Sequence, residues 1–383
     1  MRILILNADY TAFLRWLYAS QPGLAAARYD EQMAARNASL FGVADFYSWN
    51  LRALGHEAWE IHANNEPMQR AWARENGLAL PENSGRRLRM RLRGGLVPWL
   101  ARVEDRRWMY RVLAEQIRRL KPDVLLNQAL DGIDSRFIRE MRPHVRLLAG
   151  QVAAPLGDDG VIRDYDLILS SLPGFLERAR ALGARGELHR FAFDARVADL
   201  LPAVERDLEA TFVGSISRHH ESRVELLERV ARTCSLALWG KGIETLPEDS
   251  PLRRIHNGEA WGRGMYEILN RSRMTLNHHI GIAGAHANNM RLFEATGSGA
   301  MLITDWKSNL HEMFEAGREV IAYRDHEECA RMIEYYAAHP SEREAIARAG
   351  RERTLRDHNY RVRMEELAGV LERYLANAGG GVP

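Results

Sequence analysis

Two cysteines in 383 residues, Cys234 and Cys329, leave no material for a disulfide framework, so a reducing, cytoplasmic setting is the expectation. Lysine is almost missing as well. Lys121, Lys241 and Lys307 stand alone among 53 basic side chains, and the rest are arginine. Against them stand 51 acidic residues, and a net charge of +2 argues against a protein built to coat nucleic acid. No apolar run approaches the roughly 18 residues that a membrane span needs. The apolar start Met1-Arg-Ile-Leu-Ile-Leu-Asn is too short for a secretory signal. Two phosphate-handling motifs are absent. Without Gly-x-x-x-x-Gly-Lys-Ser/Thr an ATP-hydrolysing motor is unsupported. The lack of Gly-x-Gly-x-x-Gly after the first apolar run counts against a nicotinamide dehydrogenase.

What remains is an ordinary globular mixture, 46% hydrophobic and 27% charged, with length for two domains at roughly 100–200 residues each. Short apolar runs alternate with helical patterns. Strands are predicted at 3–6, 58–62, 124–127, 145–149 and 166–170, with helices at 43–54, 108–120, 135–141 and 173–182. Asp194 and Pro202 interrupt the pattern near 193–205. It then restarts with strands at 210–213, 235–239, 273–277, 300–304 and 320–323, and helices between and after them. Strand, helix, strand in this order predicts two consecutive doubly wound α/β domains, whose ligands bind beyond the carboxyl ends of the strands. Residues 81–102 stand apart: Arg86, Arg87, Arg89, Arg91 and Arg93 interleave with Leu88, Met90 and Leu92 at a period of two. Such a stripe reads as a solvated edge strand protected by its charges. The rival reading is a basic lip for an anionic acceptor or for peripheral contact with a membrane.

The stretch richest in chemistry is His286-Ala-Asn-Asn-Met-Arg-Leu-Phe-Glu294-Ala-Thr-Gly-Ser-Gly-Ala-Met-Leu-Ile-Thr-Asp305. A helix starting at Asn288-Asn289 turns free N–H groups and a positive dipole end outward, which suits an anion. Arg291 and Glu294, three apart, share one face of it. They can hold a phosphate and a neighbouring diol, or simply pair with each other on a solvated surface. Gly297 and Gly299 supply a turn into a buried strand. His278, His279 and His286 have no common helical face and no cysteine partner, so a zinc site is not expected. Asp131, in Asn127-Gln-Ala-Leu-Asp131-Gly, reads either as a general base or as an Asp-Gly turn.

This stretch resembles the second domain of group 1 glycosyltransferases, and within them the spore-maturation CgeB-like branch. Leu54-Gly-His-Glu57, Tyr165-Asp-Leu-Ile-Leu-Ser170, Phe191-Ala-Phe-Asp194, Thr211-Phe-Val-Gly-Ser215, Trp239-Gly-Lys-Gly242 and Leu276-Asn-His278 agree with that branch. The resemblance implies the GT-B fold: two Rossmann-like domains facing across a cleft, with a C-terminal helix crossing back. The domains implied are 1–198 for the acceptor and 199–358 for the donor, with residues 359–383 as the returning helix and a loose tail. It further implies transfer of a sugar from a nucleotide-diphosphate donor to a hydroxyl acceptor, without a divalent metal or other cofactor. Glu294 then takes the ribose hydroxyls. Asn288, Asn289, Arg291, Arg218 and Lys241 surround the diphosphate, and Gly214, Ser215 and His278 complete the donor site. Many members carry an acid on the sugar eight residues before that glutamate; here the position is His286. A sugar-nucleotide epimerase and a non-catalytic sugar-nucleotide or partner-binding module remain as alternatives.

Overall fold

The computed structural model describes residues 1–80, 86–93, 97–216 and 221–379, without the side chains of 86–93, 97–104, 282, 378 and 379. The first half carries β1 (Arg2–Asn7), β2 (Glu57–His62), β3 (Arg86–Arg93), β4 (Val97–Glu104), β5 (Val124–Asn127), β6 (Leu147–Gln151), β7 (Leu167–Ser170) and β8 (Arg185–Leu188). Six of them form a parallel sheet in the order β2-β1-β5-β6-β7-β8. The second half carries β9 (Leu208–Val213), β10 (Leu236–Trp239), β11 (Ser272–Asn277), β12 (Met301–Asp305) and β13 (Ile321–Tyr323). These form another parallel sheet, ordered β10-β9-β11-β12-β13. Strand order reverses at β1/β5 and at β9/β11, the places where doubly wound sheets open a crevice.

The strands follow from continuous apolar runs. Ile3, Leu4, Ile5 and Leu6 are all buried, Ile3 and Ile5 in one core and Leu4 and Leu6 in another, because helices cover both faces of the sheet. The arginine stripe does not edge this sheet: β3 pairs only with β4, as a separate antiparallel hairpin.

The last helix, Tyr360–Gly379, lies against the first-domain helix Phe46–Ala53. Tyr360 packs its ring 5.3 Å from Phe46 and 5.4 Å from Tyr47. Farther along, the Tyr374 hydroxyl donates to Glu187 at 2.9 Å. The two chain crossings run side by side: Phe193 N–H donates to His358 O, and Tyr360 N–H to Phe193 O, each at 2.9 Å. A second contact joins the domains near the cleft. Gly262, at φ +49°, presses so close to Ser39 that a Cβ there would lie 1.9 Å from its carbonyl oxygen. Beside it Trp261 meets Phe41 at 5.2 Å, and Phe41 stacks on Phe13 at 4.0 Å. Among the described residues no helix is long and apolar enough to cross a membrane.

Candidate functional site

The turns after β9 and β10 lie directly on each other. Gly214 N–H donates to Trp239 O at 2.9 Å, and Ile216 N–H to Lys241 O at 2.8 Å. This approach explains the Gly-Lys-Gly spelling. A Cβ on Gly240 or on Gly242 would sit 1.8 Å from the carbonyl oxygen of Gly214 or Ile216, and their φ values are +151° and +97°. Lys241 is thus raised on two glycines, and its Nζ stands 5.1 Å from the ring centroid of Tyr10, the residue that leads from β1 into the next helix. The carboxyl ends of the two sheets therefore face each other across this contact.

At the second sheet's switch point one arginine holds the two strand ends together. Arg223 donates to Ser215 O at 3.0 Å and to His278 O at 2.8 Å. The hydrogen-bond chain assigns the His278 tautomer. Tyr323 gives its hydroxyl proton to Asn277 O at 2.9 Å, so it accepts from His278 Nδ1 at 2.9 Å. That leaves Nε2 to accept from Ser222 Oγ at 3.2 Å. Burial holds the imidazole down to about 4, so it is neutral at neutral pH.

His279, next in sequence, has no exposed side-chain surface. Its Nδ1 lies 2.6 Å from Asp305 Oδ1, and its backbone N–H also reaches that oxygen. Burial pushes the Asp305 carboxyl up, but the His279 contacts outweigh it and hold it well below the usual range. Its other oxygen is 3.1 Å from Lys307 Nζ, which donates to Gly284 O at 2.7 Å. Lys307 and Trp306 line an open cavity of about 940 Å³ together with Arg223, His278, Arg324 and His326. The sequence alone does not mark Lys307 or Asp305, although Asp305 ends the His286–Asp305 stretch and Lys307 follows two residues later.

That motif forms a short helix, Arg291–Gly297, starting two residues later than Asn289. Asn289 is instead spent on the strand end, donating to Asn277 Oδ1 at 2.6 Å. Arg291 Nη1 bonds Glu294 Oε2 at 2.7 Å, and the same nitrogen lies 2.7 Å from Met265 Sδ. Glu294 is buried, its side chain 7% exposed. Burial raises its pKa, and the charge of Arg291 only partly opposes this. Asn288 and His286 are half-buried on the approach to this helix.

Elsewhere the groups are dispersed. Arg218 lies outside the described residues. Asp131 is exposed after β5, where its Oδ1 accepts from Gly157 N–H at 3.1 Å. Asp9 and His62 close into a buried cluster, Asp9 2.7 Å from Arg36 and 3.2 Å from His62. Gln128, Gln151, Tyr47 and His189 form a hydrogen-bonded chain over the ends of β5, β6 and β8. Among the described residues no three His, Cys, Asp or Glu side chains converge as a metal site would need.

Residues 218–369 match the family model described as Glycosyl transferase-like. No curated protein matches the sequence. Among solved structures, Anabaena HepE in complex with UDP-glucose aligns with a TM-score of 0.57 at 11% identity, over 97% of this chain and 100% of that one. Sucrose-phosphate synthase from Thermosynechococcus elongatus aligns at 0.58 with 10% identity, covering 98% and 100%. AviGT4, a glycosyltransferase involved in avilamycin A biosynthesis, aligns at 0.55 with 15% identity, covering 98% and 99%. At such identities the likeness is one of fold. The chain has the GT-B fold, and residues 218–369 of its second half match a glycosyl transferase-like family model.

Proposed function

We propose that this protein transfers a sugar from a nucleoside-diphosphate sugar to a hydroxyl acceptor, without a divalent metal, and that it belongs to the CgeB-like branch. The observation that carries the reading is the second-domain strand ends: Gly214–Ile216, and, within the segment that matches a glycosyl transferase-like model, Lys241 on its glycine pair, Lys307 fixed by Asp305, and the buried Glu294. The solved relative with UDP-glucose shares this fold.

In this reading Glu294, its burial partly offset by Arg291, accepts hydrogen bonds from the ribose hydroxyls. The Gly214–Ile216 turn, Lys241, Lys307 and Arg218 meet the diphosphate. Two positioned ammonium groups neutralise the charge that grows on the leaving diphosphate, the task a divalent ion performs elsewhere. His278, held neutral, completes the wall beside them. Asn288 stands by the diphosphate, and His286 faces the donor's sugar. Asp131 is the acceptor-side base if the reaction inverts. Cleft closure between the two sheets excludes water while donor and acceptor align.

The test is to incubate the protein with UDP-, GDP- and dTDP-hexoses and maltose as the hydroxyl acceptor, in the presence of a chelator, and follow release of the nucleoside diphosphate. The expected result is release from one donor, falling about 100-fold in Glu294→Ala, the loss typical of a charged hydrogen-bond pair. Release that requires added Mg²⁺ or Mn²⁺ contradicts the metal-free part. Interconversion of the sugar with no release points to an epimerase.

A further inference from the structure

Tyr10 is 62% exposed, more than any other large apolar side chain described, yet it is held in place. Its carbonyl accepts from Leu14 N–H at 3.0 Å. Just before it, Asp9 N–H donates to Asn64 Oδ1 at 2.8 Å, and Asn64 Nδ2 returns a bond to Asp9 O at 2.7 Å. Phe41 supports the ring edge-on at 5.8 Å, and Phe41 is itself wedged between Phe13 and Trp261. A fixed aromatic face thus stands at the carboxyl end of β1, where ligands of such sheets bind. Over that face lies Lys241 Nζ, contributed by the opposite domain.

Amide side chains follow the first-domain strands at Asn7, Asn64, Gln128 and Gln151, while the charge of Asp9 is matched by Arg36. The Asn7 Nδ2 is buried without a partner. An aromatic face among amides matches a sugar ring, which offers one face of C–H groups and a rim of hydroxyls.

We propose that Tyr10 is a donor-gated platform for a carbohydrate acceptor: Lys241 covers the ring in the empty protein, and its departure to the donor's diphosphate opens the face to an acceptor sugar. This rests on Lys241 being a diphosphate ligand. Donor and acceptor then bind in order, because one lysine cannot serve the ring and the phosphate together. An exposed cation–π contact is weak, so the gate biases the order without trapping the lysine.

The experiment uses the full-length protein, with UDP and GDP as calorimetric probes and methyl α-D-glucopyranoside and maltose as acceptor probes in saturation-transfer NMR. Tyr10→Leu frees Lys241 and tightens diphosphate binding about two- to fivefold. Tyr10→Phe keeps the wild-type value, and in a Lys241→Met background Tyr10→Leu changes nothing. An unchanged diphosphate affinity in Tyr10→Leu overturns the gate. With diphosphate present, the sugar probe contacts wild type and Tyr10→Phe but not Tyr10→Leu. A missing contact in wild type, or an equal contact in Tyr10→Leu, overturns the platform. If neither diphosphate binds wild type, it is the donor reading that fails.

Discussion

Glu294 and Glu60 are both glutamates sunk beside parallel sheets, and they differ in what shares the burial. Glu294 has the Arg291 guanidinium at 2.7 Å. Glu60 has only the Ser48 N–H at 3.0 Å on Oε1, while its Oε2 is buried without a partner. Burial therefore pushes Glu60 up to about 8, with Ser48 and the more distant Arg36 opposing it. The native state keeps a proton that the unfolded chain sheds near its ordinary value, so this stabilisation is present at low pH and is lost as pH rises towards 8. Glu60→Gln, which cannot ionise, is predicted to gain stability relative to the parent from pH 5 to 8, by about 1.4 kcal/mol per pH unit at most, and then level off. Urea melts at pH 5, 7 and 9 check this; a difference independent of pH contradicts it.

The glycine-flanked turn at Lys241 and the Arg291–Glu294 pair were legible at this scale as local structure, because each sits in a short run of distinctive residue types. The Asp305–Lys307 contact was not. It depends on His279 turning inward to hold the carboxylate, and the spacing of three histidines says nothing of which one is enclosed.

Among elements, the turn after β10 carries the sharpest constraint, since each glycine beside Lys241 touches a carbonyl of the neighbouring turn. Gly242→Ala adds a methyl where φ is +97° and Ile216 O stands in the way. The turn must lift, carrying Lys241 with it. The predicted outcome is a diphosphate affinity about tenfold weaker, with the far-UV CD spectrum unchanged. Parent-like affinity would mean that the turn does not position the lysine.

The core strands were readable because strands buried on both faces are continuous apolar runs, as at Ile3–Leu6. The helices Tyr29–Ala38 and Glu66–Glu75 had no such signal. The first buries Gln32 and Arg36, and the second Met68, Gln69, Ala71 and Ala73, so polar and small side chains fill the inward face and mask the period. The helix at 43–54 starts later, at Phe46, after Ala44 takes a positive φ of 41°.

At the scale of the whole molecule the last helix belongs to the first domain's core. Tyr360, Met364, Leu367, Leu371 and Leu375 are all buried. At roughly 1.5–3 kcal/mol for each such side chain, their loss is on the order of 10 kcal/mol, comparable to the whole stability of a domain. A chain ending at residue 358 is predicted to be insoluble or molten, seen as lost near-UV CD; a cooperative melt at the parent temperature contradicts this. The two-domain plan was legible from the repeated strand–helix alternation, whereas the Gly262–Ser39 clasp depends on a close approach that no periodicity encodes.

Binding of a nucleoside diphosphate by the second-domain strand ends, without metal, is read out by calorimetric titration. UDP, GDP and dTDP are each titrated into the full chain in a chelating buffer, then into Glu294→Ala. One of them is expected to bind, with an affinity indifferent to the chelator and lost in the variant. Binding by none, binding only with a divalent ion, or equal binding by Glu294→Ala would contradict it.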